Sequence, residues 1–293
     1  MAKEFFFKKK LFGKEVEIIL YDVEPFLGEE ISGSAYDLAL RLQRIFNFFD
    51  DSSELSALNK KREMVVSDDL LKVLKKALKV CELTEGQYDI TLGKQVLERK
   101  SGLKTSPVSC SYKDIKIKGN KVIISNEDAV IDLGSIAKGY ITDRISEHIM
   151  NAGVLSGLID ARGDLRVFGQ RFELVDVQHP RNKDKIICTL KIRGLSVATS
   201  GDYNQYYNNY ENSHIINKKE LVSTTVVAPT LEEADVYATA LMVSDKKARE
   251  RIINENKKIK ALTVDSDLNT FCYNGFEKLI VKNAVKRKDV KEK

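Results

Sequence analysis

The chain has 293 residues, enough for one large domain or two modest ones with an ample core. Apolar residues make up 43% and charged residues 31%, an ordinary globular balance, and no apolar run nears the ~20 residues of a membrane span. The net charge of +5 sits at the ends: residues 1–10 carry +3 and residues 281–293 carry +4, leaving a body of −2, which excludes a nucleic-acid-binding surface spread over the fold.

The ends are expected as a basic extension (1–10) and a basic tail (281–293) around one domain spanning 11–280. The opening Phe run meets lysines at once, without the apolar stretch and small-residue cleavage site of a secretory signal, so a cytoplasmic location is expected. Cys81, Cys110, Cys188 and Cys272 are scattered without a C-x-x-C pair and read as reduced thiols. With only His148, His179 and His214, a His-rich metal site is not expected.

In chain order, residues 13–23 alternate and are β-rich, predicting a strand. Apolar residues at 35, 38, 42, 45, 46 and 49 predict a helix over 34–49. Residues 50–59, DDSSELSALN, read as a polar loop with a short turn. Ser67 caps a second helix, with Asp68 and Asp69 in its first turn and Gly86 at its end. Residues 120–133 read as a hairpin feeding a helix that runs to Gly153. Strands follow at 154–160, 165–169, 172–177, 186–192, 195–200 and 221–229. A Thr-capped helix covers 230–243, a helical stretch covers 246–256, and two short strands close the chain. The absence of repeats and of Pro/Gly/Ser-rich linkers predicts one α+β unit.

Three segments could carry chemistry. In DLGSIAKGY, residues 132–140, a strand delivers Asp132, Gly134 permits a tight turn, and a helix opening near Ser135 turns its free N–H groups outward with Lys138 in its first turn. Such a place can hold phosphate; an aspartate cap beside a solvated lysine is the alternative. In EEADVYATAL, residues 232–241, Asp235 and Thr239 share one helical face. Their oxygens suit a hard cation such as Mg²⁺ that keeps waters and takes substrate phosphate; Asp235 as a solvated acid on the helix dipole is the alternative. In residues 197–219, Thr199 to Asp202 form a polar turn, and His214 precedes Ile215 and Ile216. That histidine reads either as a satisfied edge residue or as a base that takes a proton from an attacking hydroxyl.

Taken in order, DLGSIAKGY, GDLRVFG, VATSGDY, SHII and EADVYATAL, with DDSSELSALN and GQYDITLG upstream, resemble the ApbE family of flavin transferases. The likeness runs from about residue 12 to residue 243. It implies a single ApbE-like domain of mixed, largely antiparallel sheets with flanking helices. It implies Mg²⁺-dependent transfer of the FMN half of FAD to a Thr or Ser hydroxyl of an acceptor flavoprotein carrying a Ser/Thr flavinylation motif, with release of AMP. Ser135, Asp235 and Thr239 fall at the family's magnesium positions, Ser135 through its main-chain oxygen. Phe12, Phe49, Gln87, Tyr88, Asp89, Asp132 and Lys138 fall at FAD-contact positions, the rings supplying stacking area or plain core packing. Asn59 falls on the adenine side, with a helix cap as the other reading; Ile215 falls at the pocket lining and His214 at the base. The chain departs from the family's pattern at Phe12-Gly13-Lys14, where Met-Gly-Thr is usual, at Arg162-Gly163, where Gly-Gly is usual and where the basic side chain either touches the pyrophosphate or points to water, and in having no Trp. Two other activities compete: hydrolysis of FAD to FMN and AMP, and non-catalytic FAD binding.

Overall fold

The computed structural model describes residues 4–203, 206–207, 209–213, 216 and 219–283. Strands β1 (Glu4–Leu11) and β2 (Lys14–Tyr21) pair antiparallel along all eight residues. Residues 4–10 are therefore part of the domain and not an extension outside it. Phe7 and Leu11 are buried while the three lysines between them stay exposed, Lys8 and Lys10 on the opposite face and Lys9 with its ammonium over the Phe7 ring, so the basic run belongs to an edge strand. Helix α1 (Pro25–Phe46) starts nine residues before the predicted 34. Pro25 suits a first helical turn, where its missing N–H has no bond to lose. A Cβ on Gly28 would come within 2.6 Å of the Phe5 ring, so glycine there lets α1 lie directly on β1.

Helix α2 (Glu54–Lys61) replaces the predicted loop. Ser53 caps it by accepting from Ser56 N at 3.0 Å, and Leu55 and Leu58 are fully buried beneath it. Strand β3 (Glu63–Val65) leads to helix α3 (Asp68–Leu83), capped by Ser67 as expected. Helix α4 (Gly93–Lys100) follows. Strands β4 (Ile115–Lys118) and β5 (Lys121–Ile124) form the hairpin of this region, with β3 on the other side of β5. Residues 129–133, predicted as a hairpin arm, instead run extended beside residues 90–92, with Val130 N donating to Thr91 O and Asp132 N to Ile90 O.

Helix α5 (Ala137–Asn151) is followed by strands β6 (Gly157–Ala161), β7 (Asp164–Phe168), β8 (Glu173–His179), β9 (Asn182–Ile192), β10 (Ser196–Gly201), β11 (Tyr206–Tyr207), β12 (Asn209–Ser213) and β13 (Leu221–Ala228). Helices α6 (Leu231–Val243) and α7 (Lys246–Glu255) precede strands β14 (Lys260–Asp265), β15 (Thr270–Tyr273) and β16 (Ile280–Asn283). Strand β16 carries the domain to residue 283, past the expected boundary at 280.

The main sheet runs β1-β2-β6-β7-β10-β13-β14-β15 and is antiparallel at every described pairing. Helix α6 packs on β10 and β13 on one side and on α5 on the other. Nearly every residue of α6 is buried, and its sequence is accordingly apolar apart from its first turn and the face that carries Asp235 and Thr239. The opposite face of the sheet meets the three strands β16-β9-β8 through a second core that includes Val175, Val177, Leu190, Val222, Val264 and Phe276. The result is the α+β class expected from the sequence. Among the described residues no helix is long and apolar enough to cross a membrane.

Candidate active site

The close approach of α5 to the start of α6 depends on Gly139. A Cβ there would lie 2.4 Å from the Leu231 carbonyl oxygen, inside any tolerable contact. Glycine at this one position lets the two helix beginnings touch, and the touch brings the charges of one helix to the backbone and side chains of the other. The Gly139 N–H donates to Asp235 Oδ2 at 3.1 Å. One turn later, Asp143 Oδ1 and Oδ2 accept from Leu231 N and Glu232 N at 2.9 and 2.8 Å, satisfying two free donors of α6.

Lys138, in the first turn of α5, extends between two acids. Its Nζ contacts Asp164 Oδ2 and lies 3.8 Å from Asp235 Oδ1. Asp164 stands at the start of β7 and also accepts from Thr199 N at 3.0 Å. Burial favours the neutral forms at both ends of the pair: it lowers the Lys138 pKa, opposed by the Asp235 carboxylate, and raises that of Asp235, opposed by the Lys138 ammonium and the Gly139 N–H. Thr239 lies one turn beyond Asp235, as its spacing predicts, and its hydroxyl meets Ser200 Oγ at 3.0 Å.

These groups line one cavity of about 1270 Å³. Asp132 enters its wall from a chain held by Asn59, whose Nδ2 donates to Ile131 O at 2.9 Å and whose Oδ1 accepts from Ile131 N at 2.8 Å. The Asp132 carboxylate accepts from Gly134 N at 2.8 Å; burial raises its pKa, and that N–H and the Lys100 ammonium reduce the effect. Tyr88 OH and Ser135 Oγ pair at 2.7 Å, and burial pushes the phenol well above its ordinary range. Elsewhere in the wall the Phe48 and Phe49 rings lie with centroids 4.1 Å apart, tilted by 44°, and the Lys100 ammonium sits 3.7 Å over the Phe49 ring. Phe12, at the β1–β2 turn, also lines the cavity.

Of the residues singled out from the sequence, the cavity wall brings together Phe12, Phe49, Gln87, Tyr88, Asp89, Asp132, Ser135, Lys138, Asp235 and Thr239. Asn59 is not in that wall; both of its amide atoms hold the Ile131 backbone, so it neither caps a helix nor faces the cavity. Gln87 and Asp89 line the cavity with their polar atoms engaged elsewhere. The Gln87 amide pairs with Asp245, at the start of α7, by two bonds, and Asp89 accepts from Thr91 N, Thr91 Oγ1 and Tyr112 N. His214 and Ile215 lie outside the described residues; Ile216, which is described, lines the cavity.

The ApbE family model matches residues 12–263. The chain belongs to the ApbE family. The FAD:protein FMN transferase of Escherichia coli K12 is 28% identical over 251 residues, covering 75% of this chain and 70% of that protein. The enzyme of that name from Haemophilus influenzae is 24% identical over 275 residues, covering 82% and 78%. Among solved structures, the ApbE protein of Thermotoga maritima superposes with a TM-score of 0.83 at 22% identity, covering 94% of this chain and 99% of the other. The flavin transferase ApbE of Vibrio cholerae gives 0.81 at 21% identity, covering 95% and 100%. At these identities the structural likeness establishes the fold.

Sequence reasoning missed two members of this ApbE cavity, Lys100 and Asp164, and left Arg162 open between contact with the pyrophosphate and solvent; the structure places Arg162 in the wall. Asp164 had a local signal, an acid directly after a two-residue glycine turn at the end of a strand pair. Lys100 had none, because the last residue of an amphipathic helix reads as a solvated charge.

Proposed function

We propose that this chain transfers the FMN half of FAD to a Ser or Thr hydroxyl of an acceptor flavoprotein and releases AMP. One observation carries the reading: a single large cavity is lined both by aromatic rings and by Lys138, Asp164, Asp235 and Thr239, in a chain of the ApbE family. The rings offer flat area for a flavin or adenine plane, and the charged cluster suits a diphosphate.

The donor set fits a hard divalent cation. Asp235 and Thr239 would supply side-chain oxygens and Ser135 its main-chain oxygen, all from the wall of this one cavity. Among the described residues no group of three His, Cys, Asp or Glu side chains could hold a metal, so waters and substrate phosphate would complete the shell. When bound there, Mg²⁺ would neutralise charge on the diphosphate.

In the transfer, the acceptor's hydroxyl oxygen attacks the phosphorus of the FMN half. A phosphoester bond forms, the bond from that phosphorus to the bridging oxygen breaks, and AMP departs with that oxygen. His214 takes the hydroxyl proton. Lys138 offsets the negative charge, and Asp164 and Asp235 hold its ammonium in place. Incubation of the protein with FAD, Mg²⁺ and an acceptor flavoprotein tests the reading: mass spectrometry is expected to find FMN on a Ser or Thr of the acceptor. AMP release at the same rate without any acceptor would identify a hydrolase instead.

A further inference from the structure

The turn joining β6 to β7 has two residues, Arg162 and Gly163, with Ala161 paired to Asp164 across it. Both have positive φ, 65° and 91°, the sign pattern of the type I′ turn that two-residue hairpins favour. Glycine or asparagine is at home in that first position; for other L residues the left-handed region costs roughly 1–2 kcal/mol. Nothing in the hairpin itself calls for an arginine. The turn is closed by Gly163 N donating to Asp160 Oδ1 at 2.6 Å, a bond indifferent to the side chain at 162.

The Arg162 side chain points instead to the cavity wall. Its Nη1 donates to the Phe12 carbonyl at 2.7 Å. Among the described residues no carboxylate pairs with the guanidinium, and its other four N–H donors have no protein partner. It also stands close enough to Lys100 and Lys138 to disfavour both ammonium groups. Lys138 is answered by Asp164 and Asp235, and Lys100 rests on the Phe49 ring. Arg162 keeps uncommitted donors at a strained backbone position beside two like charges. Strain of this kind persists where the side chain it presents has a use.

We propose that Arg162 is a specificity residue of this chain, its guanidinium binding the diphosphate bridge of the dinucleotide while its bond to Phe12 fixes the β1–β2 turn beside that bridge. The inference rests on the reading of FAD as substrate. The planar fork of donors matches two phosphate oxygens, a geometry that a lysine ammonium does not reproduce.

Titration of wild-type, R162G and R162K proteins with FAD, ADP and adenosine, followed by calorimetry, tests it. R162G removes the strain at φ 65°, so its fold is expected to hold. The expected result is weakening of FAD and ADP by about tenfold in R162G, partial recovery in R162K, and unchanged adenosine binding. Equal FAD and ADP affinities in wild type and R162G would overturn the assignment. So would a loss of adenosine binding as large as that of FAD, which would mean that the arginine shapes the wall without touching phosphate, and so would wild-type protein that binds none of the three. A transfer assay on the wild-type preparation separates the two claims: FAD binding that depends on Arg162, without any FMN adduct, would contradict the transferase reading and leave the arginine's role standing.

Discussion

Two clusters of buried charge sit one helical turn apart where α5 meets α6, and they are built to opposite ends. Asp143 is sealed: each carboxylate oxygen accepts from an α6 backbone N–H, and Arg166 Nε lies 3.6 Å away while its Nη1 donates to the Pro229 carbonyl. Lys138, Asp164 and Asp235 are paired with one another but open to a cavity of about 1270 Å³. Both clusters depend on the same close approach at Gly139. The difference teaches that a buried charge is not by itself a mark of chemistry; a charge cluster whose remaining bonding capacity faces a cavity is.

The sharpest way to break the comparison is to remove one acid from each cluster. D235N is expected to lower FMN transfer on the order of 10²–10³-fold, the usual loss of one electrostatic group at a reacting phosphate, with an unfolding midpoint equal to or above wild type because burial disfavours that carboxylate. Steady-state transfer rates and a urea melt check both halves. H214A is expected to lose about 10³-fold in transfer while still binding FAD, as removal of a proton-accepting base does, and flavin titration alongside the rate measurement checks it.

D143A is expected to do the reverse. Two backbone donors of α6 would lose their acceptor, costing about 3 kcal/mol of stability, while transfer per folded molecule stays near wild type. G139A is expected to harm both clusters, since its new methyl would meet the Leu231 carbonyl; overpacking of this kind costs about 1–3 kcal/mol, and transfer falls with it. The smallest effect is on pH dependence. Burial raises the Asp143 pKa to about 6, above the ordinary carboxylate value, so the folded state holds this proton more tightly than the unfolded one. Its contribution to stability is then full below about pH 4 and lost as pH rises through about 6. Urea midpoints of wild type relative to D143N are expected to fall across that window.

The sequence was most informative where chemistry and periodicity are local. Asp235 and Thr239 share a helical face by spacing alone, Ser67 caps α3, and Lys138 stands in the first turn of α5. What stayed hidden depends on contacts made far along the chain. β1 looked like a basic tail because its lysines are consecutive, and only pairing with β2 shows that Phe7 and Leu11 face inward. Asp164 joins Lys138 only after the β6–β7 turn is placed beside α5. Lys100 becomes a cavity residue when α4 packs its last turn over Phe49. Asn59, Gln87 and Asp89 carry the right atoms for a ligand, but each spends them on the protein's own backbone or caps, which no motif discloses.

The most direct test of the α5–α6 cluster as the reaction centre is mass spectrometry of one acceptor flavoprotein after incubation with FAD, Mg²⁺ and either D235N or D143A, at equal concentrations of folded enzyme. The cluster's proposed role predicts an FMN adduct on Ser or Thr with D143A and almost none with D235N. Equal adduct yields from the two variants would contradict it.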